Sequence, residues 1–227
     1  MRLLLANLIH PEGEVAFANL QSLVPDPEVS TKRDFERAPH PRVIATHRSF
    51  DPRFGRVIYL VRDPRDVAAS QFANLRKMQG NDGLDPIEDF IERFVAGSDA
   101  ARVSTNDFGS WGENAGSWLA TRSGHKGFLL VRYEDLLADT ARELGRVAEF
   151  TGLPTTVDRI SRAIERSSTA QLAQSNWRND LPALQLARIE AAWGDIMACL
   201  GYKLATRDSR NVLDSSLIGL LAAGALR

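Results

Sequence analysis

A three-layer α/β/α fold around a central parallel sheet is the architecture this sequence predicts, on three observations. Short apolar runs alternate with amphipathic stretches, the pattern of strands separated by helices. Val57–Val61 reads Val-Ile-Tyr-Leu-Val, an unbroken β-rich apolar run expected of a strand buried on both faces. The pairs Asp63-Pro64 and Asp85-Pro86 mark helix starts, with an acid at the N-cap and a proline at the first helical position.

The remaining elements follow in order. Met1–Ile9 is apolar and reads as a helix, and Arg42–Thr46 reads as a strand. The helix after Asp85 places Ile87, Phe90, Ile91 and Phe94 on one face. Ser110-Trp111-Gly112-Glu113 has the form of a capping box and opens a helix carrying Trp111, Ala115 and Trp118. Phe128–Val131 is a third strand. Asp139 caps a helix through Leu144, Val147 and Phe150, which Gly152 and Pro154 end. Another helix begins near Val157, and a last one runs from Pro182 through Ile189, Trp193 and Ile196 to Gly201. Residues 71–85 and 95–108 read as surface excursions. The expected domain is 1–205, followed by a tail at 206–227.

Composition excludes several classes. The 227 residues carry 28 Lys+Arg against 29 Asp+Glu, so no global basic field points to nucleic acid. A single cysteine, Cys199, excludes an internal disulfide framework and a Cys-rich zinc site. Between Met197 and Leu200 it reads as a core thiol. No His/Cys/Asp cluster suggests a metal. The apolar tail Leu217–Leu226 is far shorter than the roughly 20 residues that cross a bilayer. Met1–Ile9 lacks the flanks of a targeting segment, so the expected location is the cytoplasm.

Chemistry concentrates where Val57–Val61 runs into the helix opened by Asp63-Pro64. Ligands of α/β sheets gather at the carboxyl ends of strands, and helix N-termini favour anions. Arg62 closes the strand, and Ser70 lies one and a half to two turns into the helix. A guanidinium and a hydroxyl together can grip a phosphate. Residue chemistry alone leaves a second reading open, in which Arg62 pairs with Asp63 or Asp66 and Ser70 merely packs. His47, after Val43-Ile-Ala-Thr, is a possible proton acceptor or a partly exposed histidine packed on Phe50. Tyr133 is a candidate nucleotide contact or a tyrosine wedged between sheet and helix. Glu134 and Asp135 read as the start of a turn and a helix cap.

The segment from Val61 to Ser70, Val-Arg-Asp-Pro-Arg-Asp-Val-Ala-Ala-Ser, resembles the 3'-phosphate-binding segment of sulfotransferases that use 3'-phosphoadenosine 5'-phosphosulfate. The resemblance implies a P-loop-NTPase-like fold and gives Arg62 and Ser70 the 3'-phosphate. Ala45-Thr46-His47 is similar to the family's Lys-Thr-His, whose histidine deprotonates the acceptor hydroxyl. Alanine at 45 departs from that pattern and removes a supporting cation. Phe128 to Asp135 resembles the family's strand followed by Tyr-Glu-Asp, which assigns Tyr133 to the donor nucleotide. Ser167 and Ser168 stand where the family has Thr-Ser beside the adenine. Ser175–Pro182 resembles only the second part of a later motif. The Arg-Lys-Gly element that precedes it is absent, and Arg178 is a candidate substitute.

The family's opening strand and its loop like Pro-Lys-Ser-Gly-Thr-Thr-Trp, which cradles the 5'-phosphosulfate, have no counterpart in this sequence. Met1–Ile9 looks like the helix after that loop. Two explanations are a start placed downstream of the natural one and a degenerate relative; the well-kept remaining motifs favour the first. The resemblance implies sulfuryl transfer from 3'-phosphoadenosine 5'-phosphosulfate to a hydroxyl or amine of a small-molecule, lipid or carbohydrate acceptor. His47 would be the base, and Arg62, Ser70 and Tyr133 would hold the donor, with no metal. The alternatives are a non-catalytic nucleotide-binding relative and a P-loop kinase-like phosphotransferase, whose Gly-Lys-Ser/Thr loop is absent.

Overall fold

Local capping codes open several of the helices in this computed structural model, which describes residues 1–79, 86–98, 108–154, 156–167 and 181–205. Residues 80–85 and 99–107, Ser168, Arg178 and the tail at 206–227 lie outside the described residues. The described elements, in order, are α1 (Arg2–Ile9), α2 (Leu20–Leu23), α3 (Lys32–Arg37), β1 (Val57–Val61), α4 (Pro64–Gln79), α5 (Ile87–Val95), α6 (Trp111–Arg122), β2 (Phe128–Arg132), α7 (Tyr133–Ala138), α8 (Thr140–Thr151), α9 (Val157–Ser167) and α10 (Ala183–Cys199). They cluster into two compact units.

The first unit takes the described residues of Met1–His47, Val57–Val61 and Leu129–Ala173. Its core joins Leu4, Leu5 and Leu8 of α1 to Val131, Leu144 and Val147. Arg159 of α9 donates from Nε and Nη2 to the Leu8 carbonyl at 2.9 and 2.7 Å, satisfying an orphan acceptor at the end of α1. The Asp139 carboxylate accepts from the Arg142 N–H at 3.0 Å and so caps α8. Gly152 ends that helix at φ 75°, a left-handed conformation that glycine adopts without steric cost.

Strands β1 and β2 pair as a two-stranded parallel sheet. Two expectations about strands need correction. Arg42–Thr46 forms no strand. Its Ala45 N–H donates to the Pro25 carbonyl at 2.9 Å, and Val43 and Ala45 lean on the core while Ile44 is 41% exposed. The alternation of a strand is present, without a ladder in the described residues to make it one. Strand β1 is not covered on both faces either. Val61 is buried, but Leu60 is 38% exposed, so the elements packed over the sheet face leave that side chain uncovered.

The second unit takes the described residues of Arg48–Arg56, Arg62–Phe128 and Gln174–Arg227. An aromatic file holds its helices together. Phe72 of α4 meets Phe90 at 5.3 Å, Phe94 meets Trp193 edge-on at 5.4 Å, and Trp193 meets Trp111 at 5.4 Å between ring centroids. Such contacts add to the area they bury. Trp118 packs on Phe50 and Phe128, and its indole N–H donates to the Arg48 carbonyl at 3.1 Å. The Ser110–Glu113 capping box forms as the sequence predicts.

Helix α6 lies close to Trp193 because Gly112 has no side chain. A β-carbon there would stand 2.3 Å from the Trp193 ring. The Gly112→Ala variant is therefore expected to lose about 1–3 kcal/mol through overpacking, read as a lower midpoint in urea with an unchanged slope.

Helix α10 turns Ile189, Trp193 and Met197 inward at four-residue spacing. Cys199, expected in the core, is exposed. It follows Met197 by two residues, about 200° around the helix, and so points away from the buried face.

Candidate functional site

Strand β1 ends at buried Val61 and hands the chain to Arg62, Asp63 and then α4. The opening of α4 spends much of its own hydrogen-bonding capacity. Pro64 has no N–H, the Arg65 N–H donates to Asp63 Oδ1 at 2.9 Å, and the Val67 N–H donates to the Asp63 carbonyl at 3.0 Å. An anion at this helix start would therefore be held chiefly by side chains rather than by backbone N–H groups. The two the sequence singles out, Arg62 and Ser70, are both half-buried and belong to the same unit. Ser70 stands six residues beyond Pro64, about 9 Å of helix rise.

Asp63 is gripped by Arg65, whose Nε and Nη2 reach its carboxylate at 2.9 and 2.6 Å. Arg65 Nη1 donates to Glu190 Oε1 of α10 at 2.5 Å, and Nη2 donates to the Lys203 carbonyl at 3.0 Å. Glu190 Oε1 also accepts the Ala205 N–H at 2.9 Å. The Arg65 side chain is 2% exposed, Asp63 6% and Glu190 1%. Burial by itself lowers the guanidinium's pKa, but the hydrogen bonds and charges of Asp63 and Glu190 outweigh it and move it upward.

Arg62 is fixed from another side. The Trp111 indole N–H donates to its backbone carbonyl at 3.1 Å. Trp111 opens α6 directly after the Ser110 cap, and Glu113 secures that cap by accepting the Ser110 N–H at 2.6 Å. The hydrogen bonds from Ser110 hold the Glu113 carboxyl below its ordinary value.

The other two candidates lie in the first unit. His47 is exposed, in a segment outside helix and strand. Tyr133 is half-buried and is the first residue of α7, directly after β2. Glu134 and Asp135 lie within the first turn of α7, whose N-cap is Arg132 with no side-chain cap bond, so neither caps that helix as the sequence suggested. Ser167 ends α9, donates to the Ala163 carbonyl at 2.7 Å and accepts from Asn7 Nδ2 at 3.1 Å, which makes it a tie between α9 and α1. A cavity of about 400 Å³ in this unit is lined by Asn7, Glu12, Gly13, Glu14, Val15 and Arg166, and includes none of the candidate residues. Among the described residues no group of three His, Cys, Asp or Glu side chains is arranged to hold a metal. No described helix is long and apolar enough to cross a membrane.

The sulfotransferase domain family profile matches residues 12–191, a span that contains the strand end, the helix and every candidate residue. The chain belongs to the sulfotransferase family. Mouse carbohydrate sulfotransferase 3 is 31% identical over 190 residues, covering 74% of this chain and 38% of that protein. The 3-alpha-hydroxysteroid sulfotransferase of Cavia porcellus is 27% identical over 146 residues, covering 61% of this chain and 48% of that protein. The chain thus spans less than half the length of these sulfotransferases. The crystal structure of mouse sulfotransferase SULT7A1 complexed with PAP superposes with a TM-score of 0.64 at 20% identity, over 88% of this chain and 83% of that one. That likeness establishes the sulfotransferase fold, the P-loop-like α/β architecture expected from the motifs.

Reading the sequence missed Arg65, Glu190 and Trp111 as parts of this site. The sequence marks Trp111 only as the first residue of a capped helix, and nothing local marks Glu190, which lies 125 residues from Arg65.

Proposed function

We propose that this sulfotransferase-family chain moves a sulfuryl group from 3'-phosphoadenosine 5'-phosphosulfate to a hydroxyl or amine of a small-molecule, lipid or carbohydrate acceptor. One observation carries the reading. A strand delivers Arg62 to a helix start whose backbone donors are largely used internally, with Ser70 farther along that helix, in a segment similar to the family's 3'-phosphate binder. In this proposal Arg62 and Ser70 hold the 3'-phosphate and Tyr133 supports the nucleoside. His47 takes the proton from the acceptor hydroxyl as its oxygen bonds to sulfur. The bond from sulfur to the 5'-phosphate oxygen breaks, and 3',5'-bisphosphoadenosine leaves. The work of the protein is positioning and stabilising spread negative charge. The acceptor classes draw support from relatives named for carbohydrate and hydroxysteroid acceptors. A cytoplasmic location is part of the same proposal and is checked by cell fractionation.

Transfer of radiolabelled sulfuryl from the donor to a panel of sugar, sterol and simple alcohol acceptors tests the activity. Labelled product supports it. Capture of 3',5'-bisphosphoadenosine without transfer would mark a non-catalytic relative, and a preference for ATP would mark a phosphotransferase. Arg62→Ala is expected to weaken 3',5'-bisphosphoadenosine binding roughly 10- to 150-fold, the equivalent of about 1.5–3 kcal/mol for hydrogen bonds to a charged group. Calorimetric titration of the variant against the unaltered chain reads that loss.

A further inference from the structure

Two separate contacts converge on the backbone around Arg62, and both lead back to helix α10. On one side, the Trp111 indole N–H donates to the Arg62 carbonyl at 3.1 Å, and the Trp111 ring is backed by Trp193 of α10 at 5.4 Å between centroids. On the other, Asp63, next in the chain, is locked through Arg65 to Glu190 of α10. Glu190 and Trp193 are three residues apart, so both project from one face of the same helix. Both are buried, Glu190 at 3% and Trp193 at 7% exposure.

We infer that Trp111 and Glu190 are positioning residues for the anion site, fixing the backbone from which Arg62 presents its guanidinium. The inference rests on the donor-site reading above, in which Arg62 binds the 3'-phosphate. A charge-assisted bond between a guanidinium and a phosphate depends on geometry. An arginine on a mobile strand end must be ordered when the phosphate arrives, and that ordering costs affinity. Two of the backbone groups flanking the Arg62 side chain are restrained before any ligand binds: its own carbonyl by an indole, and the following residue by a buried ion cluster. Neither Trp111 nor Glu190 needs to touch the nucleotide for this effect.

The test compares two nucleotides that differ by the phosphate in question. Intact chain, Trp111→Phe and Glu190→Gln are titrated calorimetrically with 3',5'-bisphosphoadenosine and with adenosine 5'-monophosphate. Trp111→Phe keeps an aromatic ring against Trp193 and deletes the N–H donor. Glu190→Gln keeps the shape and removes the negative charge that faces Arg65. Each variant is expected to bind the bisphosphate about 3- to 10-fold more weakly, the scale of one net hydrogen bond, while monophosphate affinity changes less than twofold. Phe94→Leu is the packing control: it thins the aromatic file on Trp193, lowers the thermal midpoint and leaves the ratio of the two affinities unchanged. If either substitution prevents folding, the other carries the comparison. An unchanged ratio in the folded variants, with discrimination intact in the parent chain, overturns the inference and leaves the donor-site reading standing. A ratio that falls equally in Phe94→Leu also overturns it, since loosened packing would then be sufficient. A parent chain that binds both nucleotides alike overturns the donor-site reading and this inference together.

Discussion

Replacing His47 with alanine is expected to lower the sulfuryl-transfer rate by about 10²- to 10⁴-fold, the usual worth of a general base, while leaving donor affinity unaltered. His47 is exposed, in a segment outside helix and strand, so removing its ring empties no core. The variant should therefore fold as the parent does, and the loss should fall on the chemical step alone. Added imidazole should restore part of the rate if the missing ring was a base. Single-turnover transfer from labelled donor, with a parallel binding titration, reads both quantities. Full retention of the rate would remove His47 from the mechanism, and an equal loss of donor affinity would make it a binding residue instead.

The second large effect concerns stability. Arg65→Met should destabilise the fold by about 3–5 kcal/mol, the range for removing one partner of a buried ion pair. Asp63 and Glu190 would be left as buried carboxylates without their shared cation, at 6% and 1% side-chain exposure. Urea denaturation of the variant beside the parent chain at pH 7, where an unpaired buried carboxylate is most costly, reads the loss. Arg188→Met provides the contrast. Arg188 grips Glu92 at 2.7 Å, but the two are 43% and 58% exposed, and water screens and replaces such a pair. No change in its urea midpoint is expected.

What could be read from the sequence was what short segments encode. The Ser110–Glu113 box, the Asp139 cap and the Gly152 stop are local codes, each set within four residues, and each forms in the structure. The inward face of α5, with Phe90, Ile91 and Phe94, follows from spacing alone. The family motifs likewise pointed to a sulfotransferase, which the match over residues 12–191 bears out. The misreadings concern partners. Arg42–Thr46 has the residue types of a strand, but a strand is defined by the ladder it joins, and its described bond is to Pro25. Leu60 is exposed because coverage of a sheet face depends on distant elements, which a pentapeptide does not specify. Cys199 was placed inside on the evidence of its neighbours, when its angular position on α10 puts it outside. The Asp63–Arg65–Glu190 cluster and the Trp111 bond to Arg62 join residues that only folding brings together, and they flank Arg62, one of the two positions the motif singles out.

The most direct measurement is a crystal structure of the chain with 3',5'-bisphosphoadenosine bound. The account predicts the 3'-phosphate within hydrogen-bond distance of both the Arg62 guanidinium and the Ser70 hydroxyl, with the Trp111 indole still bonded to the Arg62 carbonyl. A nucleotide whose 3'-phosphate lies away from both side chains would contradict it.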